Sequence, residues 1–458
     1  MDIEKIIENQ RAFFATGITK DIGYRKASLV RLRESLDRHE QEIIDAMAAD
    51  FKKPVFESLA TEIVIAHQEI NLAIKEIWKW QRPKKVKASI LNFPSTDYVY
   101  YEPYGSTLII SPWNYPFLLA IGPLVGAIAA GNTVIIKPSE LTTHTSTITA
   151  KIIKEVFDSG HVDTVQGDKE VAQALLAQRW DYIFFTGSVP VGKIVAKAAA
   201  QNLTPVTLEL GGKSPCVVDE TARIQQAARR IVWGKFVNAG QTCIAPDYLL
   251  VHKSKKEELF QALDAEITRA YGQDPKASPD YARIINSKNF DRLVALLEGV
   301  KISSGGVTQA DDRYISPTIV EVTSTDALVM QEEIFGPILP VLTYETKEDI
   351  EGIIKGYEKP LSAYVFSRKR SFKNWFINEF SFGGGAMNDT LIHFVNDKLP
   401  FGGVGHSGIG SYHGKKSFYT FSHAKSIVKR GTWLDLPVRY APYKKKAGFL
   451  KWALKWLY

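Results

Sequence analysis

An α/β fold organised around a parallel, dinucleotide-type sheet is predicted by three features of the 458-residue sequence. Strand and helix signals alternate between Ser106 and Ala200, and one short apolar strand, Tyr182-Ile183-Phe184-Phe185, runs through a glycine turn into a helix. The composition, 45% hydrophobic and 23% charged, supplies ample core without the apolar excess of a membrane protein. The length exceeds one ordinary core, so two or three packed units are expected.

Taken in order, residues 1–80 read as helices, because Leu29, Leu32, Leu36 and then Ile43, Ala46, Met47 recur at three and four. From Thr96 to Tyr104 the alternation and the aromatics Tyr98, Tyr100 and Tyr101 predict a strand in a hairpin or extended arm, broken by Pro103 and Gly105. Ser106–Ile110 reads as strand, Leu118–Ala130 as helix, Asn132–Lys137 as strand, Ser146–Phe157 as helix, and Val191–Ala200 as the helix after the Tyr182 strand. Such alternation implies crossover helices and parallel pairing. A second α/β region begins after Leu210 and extends to about Phe401, with strand signals at 318–322 and 363–366 and no internal repeat.

Charge and cysteine usage exclude several classes. The net charge of +7 is local: Lys429, Arg430, Arg439, Lys444, Lys445, Lys446, Lys451 and Lys455 face only one acid, Asp435, over 429–458, and the rest is balanced. The body of the protein therefore offers no long-range field for nucleic acid. Two cysteines, Cys216 and Cys243, are too few for a disulfide framework or a paired-cysteine zinc site, and no histidine pair has metalloprotease spacing, so no metal is expected. The acidic start Met1-Asp2-Ile3-Glu4 is unlike a secretory signal, and a reducing, cytoplasmic compartment is expected.

The segment Phe185-Thr186-Gly187-Ser188, followed by Gly192 in the ensuing helix, has phosphate-binding geometry: a strand delivers a tight turn to a helix start, where free N–H groups face an anion. An ordinary strand-to-helix turn is the alternative. Gly187 to Lys193 also spells seven residues of a nucleotide triphosphatase loop, but Ile194 replaces the magnesium-binding hydroxyl. Gly403-Val404-Gly405-His406-Ser407-Gly408 matches G-x-G-x-x-G without a preceding strand, and reads as a glycine-rich loop near a domain boundary. Lys137 ends a strand, and Glu140 follows where a ribose would lie; a pair of solvated loop charges is the alternative, and the commoner one for such residues alone.

Cys243 follows a glycine turn among small residues, Asn238-Ala239-Gly240-Gln241-Thr242, which is how a nucleophile is exposed, whereas Cys216 lies in an apolar strand and reads as core. Glu209, between leucines and beside two glycines, is poised for desolvation and use as a general base; a salt bridge to Lys213 is the alternative. Asn114, on the turn Pro112-Trp113-Asn114-Tyr115-Pro116, offers an amide donor for an oxyanion.

Together these motifs resemble the aldehyde dehydrogenase superfamily, and GQTCIAPDY with TLELGGKSP resembles its class 3, fatty and aromatic aldehyde branch. The likeness covers nearly the whole chain, with PWNYP, KPSE, FTGS, the glutamate and cysteine motifs, EEIFGP and LPFGG in family order. It implies a Rossmann-type cofactor domain (1–84 and 104–210), an α/β catalytic domain (211–414) and a β oligomerisation arm (85–103 with 415–430) that makes a homodimer. It further implies NAD(P)+-dependent oxidation of a medium- or long-chain aliphatic or aromatic aldehyde to an acid. Cys243 would be the nucleophile, Asn114 and the Cys243 N–H the oxyanion donors, and Glu209 the base for the hydrolytic water. Lys137 and Glu140 would hold the adenosine ribose, with NAD favoured. Trp113, Gly187, Ser188, Gly192 and Leu210 would border the cofactor, Glu333 and Phe335 would place the nicotinamide ribose, and Asn388 is a further candidate. A binding role without catalysis is opposed by the intact set Cys243, Glu209 and Asn114.

The tail from Lys444 places Phe449, Trp452 and Trp456 at helical spacing beside Lys451 and Lys455. A basic amphipathic helix over 443–458 that touches a lipid surface, or docks on the protein's own dimer, is expected, too short to span a bilayer.

Overall fold

The computed structural model describes residues 2–89, 92–444 and 446–457, the last helix without the side chains of 453, 454, 456 and 457. The chain forms two compact units, residues 1–80 with 102–423, and residues 81–101 with 424–458.

The larger unit holds two mostly parallel sheets. The first runs in the spatial order Gly408–Ile409, Val206–Glu209, Tyr182–Thr186, Ser106–Ile110, Thr133–Lys137, Val162–Thr164. Chain order reverses between Ser106–Ile110 and Tyr182–Thr186, which opens a crevice at the carboxyl ends of the strands. The strands Ser106–Ile110, Thr133–Lys137 and Tyr182–Thr186 are buried at every residue, as β-branched and aromatic runs covered on both faces must be. Helix Leu118–Ala130 is likewise buried throughout, and its all-round apolar sequence fits an internal helix. Long helix Ile22–Phe51 packs beside it, burying Leu29, Leu32, Leu36, Ile43 and Met47 on one side.

The second sheet has the order Lys301–Ser304, Thr318–Glu321, Ile338–Tyr344, Tyr248–His252, Pro215–Val218, Ser362–Phe366, Gly384–Met387. All pairings are parallel except that of the edge strand Lys301–Ser304. Cys216 sits on the strand next to the central one, with no exposure.

Two sequence expectations change. The Gly403–Gly408 stretch is more than a boundary loop: Gly408–Ile409 adds an antiparallel strand to the first sheet, pairing Gly408 with Glu209, and the Leu210 N–H donates to the Ser407 carbonyl at 3.1 Å. Residues 415–420, expected in the arm, form helix Lys415–Thr420 of the larger unit, and the arm strand begins at Ser422. The reason is close packing, since a Cβ at Gly126 of the buried helix would come within 2.6 Å of the Ser417 Cβ.

The smaller unit contributes a three-stranded sheet, Lys84–Val86, Ser95–Pro103 and Ser422–Arg430 in that order, in which the last strand is mostly exposed. The Lys429 ammonium lies 4.9 Å from the Tyr98 ring centroid. Helix Lys446–Leu457 follows; Phe449, Leu450 and Trp452 are exposed, and the Lys446 ammonium donates to the Pro437 and Tyr440 carbonyls. Trp456 of the expected amphipathic face lies outside the described side chains. No described helix is long and apolar enough to cross a membrane.

Candidate active site

Cys243 stands where two cavities meet. A cleft of about 600 Å³ and a channel of about 380 Å³ share Cys243, Glu209, Thr186 and Leu210 in their walls. The cleft continues over Trp113, Gly187, Ser188, Lys213, Arg292, Glu333 and Phe335. The channel runs past Phe56, Tyr115, Leu119, Trp233, Phe394 and Tyr412.

Backbone geometry presents the thiol. Asn238, Ala239 and Gly240 take φ of +57°, +52° and +74°, three successive left-handed residues, and the two non-glycines each cost about 1–2 kcal/mol. Hydrogen bonds hold this turn. The Asn238 N–H donates to Glu57 at 2.9 Å, and its amide donates to the Asn114 carbonyl at 2.8 Å and to the Gln241 carbonyl at 3.1 Å. The Gln241 amide donates to the carbonyls of Asn238 and Arg283 and accepts from the Ile285 N–H, each at 3.0 Å. Gly240 has no substitute, because a Cβ there would lie 2.3 Å from the Gly336 carbonyl oxygen.

Glu209 closes a strand of the first sheet, 2% exposed, and among the described residues neither carboxylate oxygen has a hydrogen-bond partner. Burial pushes its pKa well above the usual carboxylate range. The salt bridge to Lys213 does not form: Lys213 instead meets Asp247 at 2.5 Å and the Glu332 carbonyl at 2.8 Å. The Glu209 carbonyl accepts from the Gly187 N–H at 3.0 Å, so the base and the glycine turn are one assembly. Burial pushes the Cys243 thiol up to about 12, with Glu333 and Glu209 adding to the shift. Burial also raises Glu333 to about 8, Asp247 adding, against the Gly212 N–H, Lys213 and Arg292. Burial thus favours the thiol over the thiolate at Cys243 and the protonated form at the two carboxyls.

Asn114 is 3% exposed and borders the cleft, its amide donating to the Gln241 carbonyl at 3.0 Å with a second N–H remaining. Tyr115 beside it hydrogen-bonds Thr242 at 2.7 Å, so the turn that follows strand Ser106–Ile110 is fastened to the cysteine loop. Across the cleft the rings of Trp113 and Phe335 meet edge-on at 5.2 Å.

The other expected residues lie at graded distances from this centre. Gly187 and Ser188 precede helix Val189–Gln201 and border the cleft, as the phosphate reading requires. Gly192 is inside that helix, where a Cβ would meet Leu210 at 2.6 Å; its place is in packing. Lys137 and Glu140 pair at 2.6 Å on the next strand end, outside the cleft wall. Asn388 borders neither cavity; it accepts from the Ser367 N–H at 2.8 Å. The sequence reading missed Lys213, Arg292 and His406 in the cleft and the whole channel. Among the described residues, no group of three or more His, Cys, Asp or Glu could hold a metal.

The aldehyde dehydrogenase family model matches residues 1–427. The 4,4'-diaponeurosporen-aldehyde dehydrogenase of Staphylococcus aureus is 49% identical over 451 residues, 98% of each chain. The dimeric NADP-preferring aldehyde dehydrogenase of Canis lupus familiaris is 43% identical over 442 residues, covering 96% of this chain and 98% of that one. A substrate-bound structure of Staphylococcus aureus AldH superposes with a TM-score of 0.97 at 48% identity, over 99% of this chain and 100% of that chain. With a crevice at the strand ends and a thiol and a buried carboxyl at its floor, the chain belongs to the aldehyde dehydrogenase family, NAD(P)-dependent oxidoreductases that act on aldehydes.

Proposed function

We propose that Cys243 attacks the aldehyde carbon and that Glu209 activates the water that later releases the acid. The observation that carries this reading is the sharing of Cys243 and Glu209 between the two cavities, which gives the sulfur one approach for substrate and another for cofactor. Cys243 adds to the carbonyl as the thiolate, its proton leaving to solvent water in the cleft, and the oxyanion is met by the Asn114 amide and the Cys243 N–H. NAD(P)+ supplies the hydride acceptor when bound in the cleft. The acyl group then remains on the sulfur as a thioester, and Glu209 takes a proton from water as it attacks, restoring the thiol and releasing the carboxylic acid.

For the cofactor, Gly187 and Ser188 at the helix start would face the pyrophosphate, Trp113, Leu210, Glu333 and Phe335 the nicotinamide side, and Lys137 with Glu140 the adenosine ribose, which favours the free 2'-hydroxyl of NAD. The channel, mostly apolar with Glu57 and Asp280 set in its wall, suits a medium- or long-chain aliphatic or aromatic aldehyde. The first sheet serves as the cofactor domain and the second as the catalytic domain. The arm strand Ser422–Arg430 makes a homodimer, consistent with the dimeric canine relative. The helix Lys446–Leu457, with exposed Phe449 and Trp452 beside lysines, gives a cytoplasmic enzyme a peripheral hold on an anionic lipid surface. Glu209→Gln is the decisive variant. Rapid mixing with aldehyde and NAD+ should give one NADH per site in a burst, followed by turnover slowed about 100-fold; an undiminished steady state would remove Glu209 from the role.

A further inference from the structure

The channel's ionisable groups are all acids, so any charge on its wall is negative. Glu57, Asp280 and Glu209 line it together with phenols and the Cys243 thiol, and among the described residues no Lys, Arg or His is in its wall. Lys53, fully buried, acts on Glu57 from behind the wall; its ammonium is held by Glu62 at 2.5 Å and sits 4.1 Å from the Tyr115 ring centroid. Glu62 also accepts the N–H groups of Phe117 and Leu118 at 2.9 and 3.0 Å, so the Lys53–Glu62 pair is locked to the start of the buried helix. Its charge is largely matched there; burial raises Glu57 to about 7, against Lys53 and the Asn238 N–H donor, so Glu57 carries its charge above neutral pH. Asp280, exposed, adds a second negative charge to the same wall.

We propose that this wall selects aldehydes by the charge at their far end. Glu57, with Asp280, admits neutral or cationic ω-groups and rejects ω-carboxylates. The inference rests on the reading that aldehydes reach Cys243 through this channel. At a separation of about 6 Å and an effective dielectric constant of about 20, repulsion between two unit charges corresponds to roughly a 100-fold loss of affinity. An apolar tunnel would disfavour any charge by desolvation, whereas a carboxylate-lined one separates the two signs, and that asymmetry is the signature to measure.

The test compares three aldehydes of equal chain length, ending in methyl, carboxylate or ammonium, in the full-length enzyme with saturating NAD+ at about pH 8.5, above the value of about 7 for Glu57. Wild type should show a kcat/KM for the ω-carboxylate at least about tenfold below that for the ω-ammonium aldehyde. In Glu57→Gln, which keeps an acceptor for the Asn238 N–H, the carboxylate-to-methyl ratio should rise about tenfold and the ammonium-to-methyl ratio fall. Asp280→Asn, at an exposed site, should shift both ratios the same way by less. Ratios cancel any general loss of turnover. Equal wild-type values for the two charged aldehydes, or ratios unmoved in both variants, would overturn the proposal. Absence of NADH with the methyl-ended aldehyde in wild type would instead count against the channel as the substrate route.

Discussion

The two cavities that share the Cys243 sulfur are built by different means. The cleft wall is made of motif runs: the turn 112–114, the segment 186–190, the run 209–213, and 331–335. Backbone conformation shapes it, as in the Gly187 turn and the φ of +50° at Phe335. The channel instead draws single side chains from residues near 56, 115, 233, 271, 394 and 412, and side-chain bulk shapes it. One half of the site is therefore fixed by what its ligand requires of the main chain, while the other is an assembly of apolar surfaces that substitution readily alters.

The largest expected effect tests the element common to both. Cys243→Ala should lower kcat by at least about 10⁴-fold, while Cys216→Ala, at a buried strand centre, should leave kcat within about threefold and cost about 1 kcal/mol of stability. Steady-state assays and denaturant unfolding of the two variants check this, and comparable activities would dissolve the contrast between the thiols. Next come residues on one wall only. Phe335→Ala should raise KM for NAD(P)+ about tenfold with a smaller change in aldehyde KM, and Trp233→Ala the reverse for a long-chain aldehyde. If each variant moved both constants equally, the two cavities would function as one.

The smallest effect is thermodynamic. Because burial raises the pKa of Glu209, the folded protein binds that proton more tightly than the unfolded chain, and its contribution to stability is lost as pH rises above the ordinary carboxylate value. Glu209→Gln should therefore melt a few degrees above wild type at pH 8 and close to it at about pH 5. A Tm difference that is constant with pH would mean that the carboxyl is not titrating against burial.

The same division explains what the sequence made legible. The strand at Tyr182, its glycine turn and the all-apolar helix Leu118–Ala130 are local patterns, and they appear within two residues of their expected limits. Cys216 and Cys243 could be told apart by their neighbours, because an apolar strand and a left-handed turn demand different residues. Lys213 misled, since its true partner, Asp247, is 34 residues away and reaches it only through the folded sheet. The channel was invisible because no periodicity connects Phe56 to Trp233 and Phe394. The helix Lys415–Thr420 was missed for a similar reason, its place being set by a contact with Gly126.

The close approach of Gly240 to Gly336 bears on how such an enzyme diversifies. The loop carrying the thiol and the loop carrying Phe335 rest main chain on main chain, with no rotamers between them to sample. Their spacing is insulated from repacking elsewhere. If substrate enters by the channel and cofactor by the cleft, as proposed, channel residues can drift toward new aldehydes while the spacing of these two loops is inherited unchanged.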